Sequence, residues 1–324
     1  MERPTSASAD AALVEIVRDF LYAHRELRSI GALHRSGELR FERVQGLVGD
    51  GEEAVLFRLK ERCHELFRDE RHAQVGRGAL LDLAIGALFH ECMKFRENFY
   101  QHVVYGPKVR ALRATARKDG EELFREFEKI LAQGSIRLAE ALQEAETLLQ
   151  QTAVELHGLL RTQAHNGLAA RLLVEQGDDL AAVFGRDLAR LLCEVFGSVA
   201  AGYERAARSY LESGYFGEAA EAFGVALAEG SGGPEPSALR DYAEGMQAFL
   251  ERDYGRAVER LRRWLDAGTA REPKLAGLAF TALSRVPPLV DEGRDPALRA
   301  AAAQLAERIR PASPGARGDA RHPA

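Results

Sequence analysis

The sequence predicts an all-α protein, a helical bundle or array continuing into a short α-solenoid. Three observations carry that prediction. Ala, Leu, Arg and Glu dominate and runs of Val and Ile are short, a balance that favours helix over strand. Apolar residues recur at spacings of three and four over most of the chain, the period of one helix face. Near the C-terminus, two helix-break-helix stretches follow one grammar: a small residue opens the second helix, and large apolar residues follow one and two turns later.

The totals narrow the class. A chain of 324 residues, 46% hydrophobic and 29% charged, can bury a core and keep a solvated surface. A net charge of −5 argues against nucleic acid as a partner, because neutralising phosphates needs clustered Lys and Arg. Cys63, Cys92 and Cys193 are three and far apart, poor material for a disulfide framework and more in keeping with a reducing compartment. The opening MERPTSAS lacks the apolar core of a signal peptide. No apolar run reaches the ~18 residues of a membrane span. A cytoplasmic protein without a membrane span is expected.

In chain order, residues 1–8 are expected to be disordered and 9–200 to form a helical bundle. The first helix is placed at about 11–34, with Leu13, Ile16, Val17, Phe20, Leu27 and Ile30 on one stripe. A short turn of helix follows at 41–48. Asp50 with Glu53 reads as a capping-box variant opening a helix to about Phe67, whose apolar face holds Val55, Leu56, Leu59 and Cys63. After a polar loop, the strongest amphipathic helix spans about 80–104 through Leu81, Ile85, Leu88, Cys92, Phe95 and Phe99. Tyr105-Gly106-Pro107 reads as its stop. A long helical tract is expected over 109–163, with breaks near Asp119-Gly120 and Gly134. Its seam of Leu138, Ala141, Ala145, Leu148 and Thr152 slips at Glu155. Shorter helices are placed at 168–175 and 180–195. Residues 201–310 should form helical hairpins with a C-terminal capping element: a helix at 274–284 interrupted by Pro287-Pro288, then one opened by Asp295 as N-cap and Pro296 at the first helical position. The tail 311–324 has the composition of disorder.

Residues with chemical potential are few. Glu61 and His64 share a helix face at the E-x-x-H spacing of di-iron bundles, but a second such pair is missing. His90, Glu91, Lys94 and Glu97 read as charge pairs along a solvated face, with a polar cleft using His90 as acid or base the rival reading. Cys92 reads as core. Lys108, Arg110, Arg113, Arg117 and Lys118 form a basic run next to an acidic stretch, again a solvated face by default. No phosphate-loop, dinucleotide, nucleophile-elbow or zinc-protease motif occurs. No catalytic residue, metal ligand or cofactor is assigned.

The C-terminal grammar runs from Tyr203 to Leu265 and resembles the tetratricopeptide repeat, a helix-turn-helix unit of about 34 residues. Ala207, Tyr210, Ala219, Phe223 and Ala226 fall on its signature places in the first unit; Gly245, Ala248, Tyr254, Ala257 and Leu261 do so in the second. The sequence departs from the pattern where Gly230 to Pro236 is inserted, where the closing proline is displaced to Pro234, and where Trp264 replaces a small residue. The resemblance covers roughly a fifth of the chain. It implies a groove lined by the first helix of each unit, here Glu204, Arg208, Leu211 and Glu212, then Tyr242, Met246, Phe249 and Leu250. Tyr242, Met246 and Phe249 would make an aromatic and thioether stripe suited to an apolar peptide, or the same stripe packs against its neighbour. The function this implies is non-catalytic protein–protein interaction or scaffolding with a protein or peptide partner of unspecified identity. A structural homo-oligomer built on 109–163, or a metal or enzymatic bundle using Glu61, His64, His90 and Glu91, are the alternatives.

Overall fold

The structure, a computed structural model, describes residues 6–39, 41–48, 54–68, 78–115, 119–268, 272–290 and 295–310. The described residues form α-helices with no strand among them, so the all-α class holds. The chain divides into two units that share it unevenly: residues 1–163 with 176–187, and 164–175 with 188–324. The division differs from the boundary expected at residue 200, since 164–175 and 188–200 group with the hairpins.

The first unit holds α1 (Ser6–Arg35), α2 (Phe41–Val48), α3 (Val55–Arg68), α4 (Gly78–Thr115), α5 (Asp119–Thr162) and α7 (Gly177–Phe184). The expected stripe of α1 is buried in full, from Leu13 through Ile30, as are Leu56, Leu59 and Cys63 of α3 and Leu81, Ile85, Leu88 and Cys92 of α4. Helix α4 does not stop at Tyr105-Gly106-Pro107 but continues to Thr115. A proline forfeits its own amide bond but keeps a helical φ, so the helical path is not closed to it. Helix α5 likewise runs through Gly134. Its buried seam does not slip at Glu155: it passes from Leu138 and Leu142 through Ala145, Leu149, Ala153 and Leu156 to Leu160. Helix α5 packs on α1, α4 and α7, which marks it as a bundle helix and not a two-stranded coiled-coil arm. Buried Thr152 satisfies its hydroxyl on the Leu148 carbonyl at 2.8 Å.

The single helix expected over 180–195 is two. Gly185 turns left-handed (φ +62°) and its amide and that of Arg186 close back onto Ala182 and Ala181, ending α7; α8 (Leu188–Phe196) starts afresh.

The second unit holds α6 (Gly167–Glu175), α8 and three hairpins: α9 (Val199–Ser213) with α10 (Phe216–Ala228), α11 (Pro234–Leu250) with α12 (Tyr254–Asp266), and α13 (Pro273–Leu289) with α14 (Pro296–Ile309). Pro234 closes nothing; it opens α11, where a missing N–H costs no bond. Helix α13 continues past Ser284 through Pro287-Pro288 to Leu289. Asp295 caps α14 as expected, its carboxylate accepting from the Leu298 amide at 2.8 Å. One buried cluster runs through all three hairpins, from Ala207 and Tyr210 by way of Phe223, Tyr242, Leu261 and Trp264 to Leu283, Leu305 and Ile309. Close approaches depend on absent side chains. A Cβ on Gly245 would lie 2.8 Å from Leu261 Cγ, and one on Gly202 would lie 2.8 Å from Leu192 Cδ2.

The capping box placed at Asp50 and Glu53, most of the loop after α3, the outer part of the basic run (Arg117, Lys118), the first five residues and the tail 311–324 lie outside the described residues. The side chains of Lys108, Arg110 and Arg113 do too.

Candidate functional site

The hairpin breaks set the register of the candidate surface. After α9, the Gly214 amide bonds the Leu211 carbonyl and the Tyr215 amide bonds that of Tyr210; after α11, Arg252 and Asp253 repeat this on Phe249 and Ala248. Gly214 and Arg252 are both left-handed (φ +81° and +65°). The equivalence pairs Glu204 with Tyr242, Arg208 with Met246, Leu211 with Phe249 and Glu212 with Leu250.

Those eight positions do not share one fate. Leu211, Tyr242 and Met246 are buried in the unit's core. Tyr242 packs edge-on against Trp264, ring centroids 4.9 Å apart, and stands 6.2 Å from Phe216; its hydroxyl donates to the Leu275 carbonyl at 3.3 Å. Burial pushes its ionisation well above the usual tyrosine range, with Glu272 adding to the effect. A peptide cannot reach Tyr242 or Met246 as the chain is folded, so the aromatic and thioether stripe is packing. Trp264, out of place in the repeat pattern, is part of the same packing. Phe249 is half-buried beside Tyr254, ring centroids 5.9 Å apart, and Leu250 is 60% exposed.

Glu204 and Arg208 remain at the surface within an ionic network. Arg208 Nη2 lies 3.2 Å from Glu204 Oε1 one turn back and 3.0 Å from Glu235 Oε1 in the first turn of α11. Its Nη1 stands 4.0 Å from Glu272, the residue that precedes α13. Ser231 donates to the other Glu204 oxygen at 2.9 Å. Partial burial works against the Arg208 charge, yet the hydrogen bonds it donates to Glu235 and Glu204 outweigh it and raise the pKa. Lys274 donates to the Glu212 carbonyl at 3.3 Å, so α13 is pinned to the end of α9 as well. An open cleft of about 380 Å³ lies beside this network, with His165, Arg205, Ser209 and Glu212 on its walls. Arg205, on its wall, donates to the Ala164 carbonyl at 2.9 Å. Exposed ion pairs of this kind are worth about 0–1 kcal/mol each, so Arg208 can exchange one of its carboxylates for a partner's at little cost.

The other sequence candidates scatter. Glu61 and His64 are exposed on α3, and His64 Nδ1 pairs with Asp82 Oδ2 at 3.1 Å. Lys94 pairs with Glu91 at 3.1 Å along α4, while His90 and Glu97 face solvent. Among the described residues no three His, Cys, Asp or Glu side chains converge in a way that could hold a metal. Burial pushes the Cys63 and Cys92 thiols up to about 12, with nearby Asp82 and Glu91 respectively reinforcing it.

A second ionic cluster went unread in the sequence. Glu244, buried on α11, meets Arg240 at 2.9 Å and Arg260 at 2.8 Å, with Arg256 at 3.7 Å; Arg260 also holds Asp241 at 2.7 Å. The four-residue spacing of Arg240 with Glu244, and of Arg256 with Arg260, was visible, but their convergence needs the pairing of α11 with α12. Among the described residues no helix is long and apolar enough to cross a membrane. Compared with protein-family models, curated proteins and solved structures, the chain finds no match in any of the three.

Proposed function

We propose that this chain is a non-catalytic protein–protein interaction or scaffold protein whose C-terminal hairpins act like tetratricopeptide repeats. The observation that carries the reading is the serial arrangement of α9–α10, α11–α12 and α13–α14 around one continuous core, with the same left-handed break closing the first helix of two successive hairpins. Serial hairpins leave a row of first helices on which a partner segment can lie. The residues available on that row are Glu204, Arg208, Glu212, Phe249 and Leu250, a polar end and an apolar end, and not the buried Leu211, Tyr242 and Met246. Proximity cross-linking in cells of the native organism tests it, comparing the natural chain with Arg208→Ala/Leu250→Asp. Loss of captured partners with an unchanged circular-dichroism spectrum supports the surface; an unchanged partner set rules it out.

A second reading, a homo-oligomer through the first unit, has its own observation. Leu80 and Leu83 on α4, Phe57 on α3, and Ile136 and Val154 on α5 are large apolar side chains left exposed. Light scattering across a concentration series separates the two, since a mass fixed at one chain excludes the oligomer.

A further inference from the structure

The Glu244 cluster has an unequal division of donors. Arg260 spends Nη1 on Asp241 and Nη2 on Glu244, at 2.7 and 2.8 Å. Arg240 gives its Nε to Glu244 at 2.9 Å, which leaves the two Nη groups at the end of its fork. Arg256 approaches the same carboxylate only to 3.7 Å, beyond hydrogen-bonding distance. Three guanidiniums against two carboxylates leave one positive charge in excess. The side chains of Arg240 and Arg256 are 46% and 52% exposed, whereas that of Glu244 is 9% exposed. A buried acid therefore gathers two half-exposed arginine forks from two different helices to within contact of a single carboxylate. Freezing a free arginine costs side-chain entropy, and part of that loss is already taken here before any ligand arrives. The arginine fork matches a carboxylate in a bidentate way.

We propose that Arg240 and Arg256, oriented by Glu244, form a docking point for an Asp- or Glu-bearing segment of a protein partner. Two forks suit one or two carboxylates. Nucleic acid would require a longer basic track, and the chain carries a net charge of −5. The proposal rests on the reading of the chain as an interaction protein and adds a second contact chemistry, separate from the Arg208–Leu250 row.

The test is titration of the full chain with a fluorescent peptide rich in glutamate, against the same peptide with Gln for every Glu, at two salt concentrations. The acidic peptide binds and the Gln peptide does not, and affinity falls as salt rises. Arg240→Gln/Arg256→Gln weakens binding about tenfold or more, as does Arg256→Gln alone in part. The single variant leaves both of the closer ion-pair partners of Glu244, Arg240 and Arg260, in place and guards against misfolding. Arg190→Gln, on α8, leaves binding unchanged. Equal binding by the double variant, no binding by the natural chain up to about 1 mM, or full competition by inorganic phosphate would each overturn the proposal. If cross-linked partners still depend on Arg208 and Leu250, only this docking point falls and the interaction reading stands.

Discussion

Replacing Gly245 by Ala puts the packing of α11 on α12 to a direct test. Gly245 is buried, and a Cβ there would meet Leu261 at 2.8 Å from Cγ, 3.1 Å from Cδ2 and 3.2 Å from the backbone nitrogen. Rotation of Leu261 relieves the first two contacts but not the third, so the helices must part by a few tenths of an ångström. Leu261 is itself fully buried, which leaves little room for the rotation. Exchanging Gly for Ala inside a helix gains about 1 kcal/mol. Overpacking a filled core costs about 1–3 kcal/mol, so the expected balance is a loss of about 0–2 kcal/mol, well short of the gain that free space would give. Gly277 supplies the control, because it lies inside α13 with nothing within 4 Å of an added Cβ. Gly277→Ala should gain about 0.5–1 kcal/mol. Urea unfolding followed by tryptophan emission reads both. Trp264 is the chain's single tryptophan and is fully buried in the same unit, so its emission reports that unit and not the other. If Gly245→Ala gains as much as Gly277→Ala, the close approach of α11 to α12 is refuted.

Other expectations follow from the same geometry. Arg252 holds φ +65° where Gly214 stands in the preceding hairpin, and Arg252→Gly should stabilise by up to about 1 kcal/mol in the same urea experiment. Of the three thiols only Cys193 is exposed, and at pH 7 a thiol with a pKa of about 12 is ionised in about one molecule in 10⁵. Native-state alkylation followed by mass spectrometry should therefore add one label fast, with Cys63 and Cys92 labelled only after unfolding. His24 in α1 has its pKa lowered by burial and by Arg28, with Asp179 opposing. A histidine depressed in the folded state contributes full stability above its unfolded pKa of about 6.5. That contribution is lost as pH falls from there through the folded value, and His24→Gln should flatten the acid limb of a stability-against-pH curve. Glu244→Gln removes a buried charge gathered by three arginines, and should cost about 1–3 kcal/mol by thermal unfolding, discounted for the exposure of Arg240 and Arg256.

Which parts of this molecule are legible in its sequence depends on how many faces a helix buries. Helix α1 buries one stripe, and Leu13 through Ile30 show it at helical spacing. Helix α11 packs on α10, α12 and α13, so its apolar residues mark several faces at once. Tyr242 and Met246 could then read equally as groove or as core, and only the positions of Trp264, Phe216 and Leu275 decide between them. Chain punctuation misled in the same way. Gly106-Pro107 and Pro287-Pro288 are local costs of a few kcal/mol, and α4 and α13 run through them nonetheless. Gly185, a lone glycine with no proline near it, ends a helix because its left-handed turn lets two amides close back on α7. The Glu244 cluster stayed hidden because sequence spacing shows neighbours along one helix and not the partner across the hairpin.

The chain passes between its two units three times, after residues 163, 175 and 187. Neither unit is therefore a continuous cassette. A gene fragment ending at residue 200 would carry α6 and α8 without α9, the helix both pack on. One beginning at 188 would deprive α9 of α6, and with it Gly167, whose absent side chain lets Ser209 come close. Recombination by a single exchange would break at least one unit wherever it fell among these crossings, so neither unit can be swapped whole in one step.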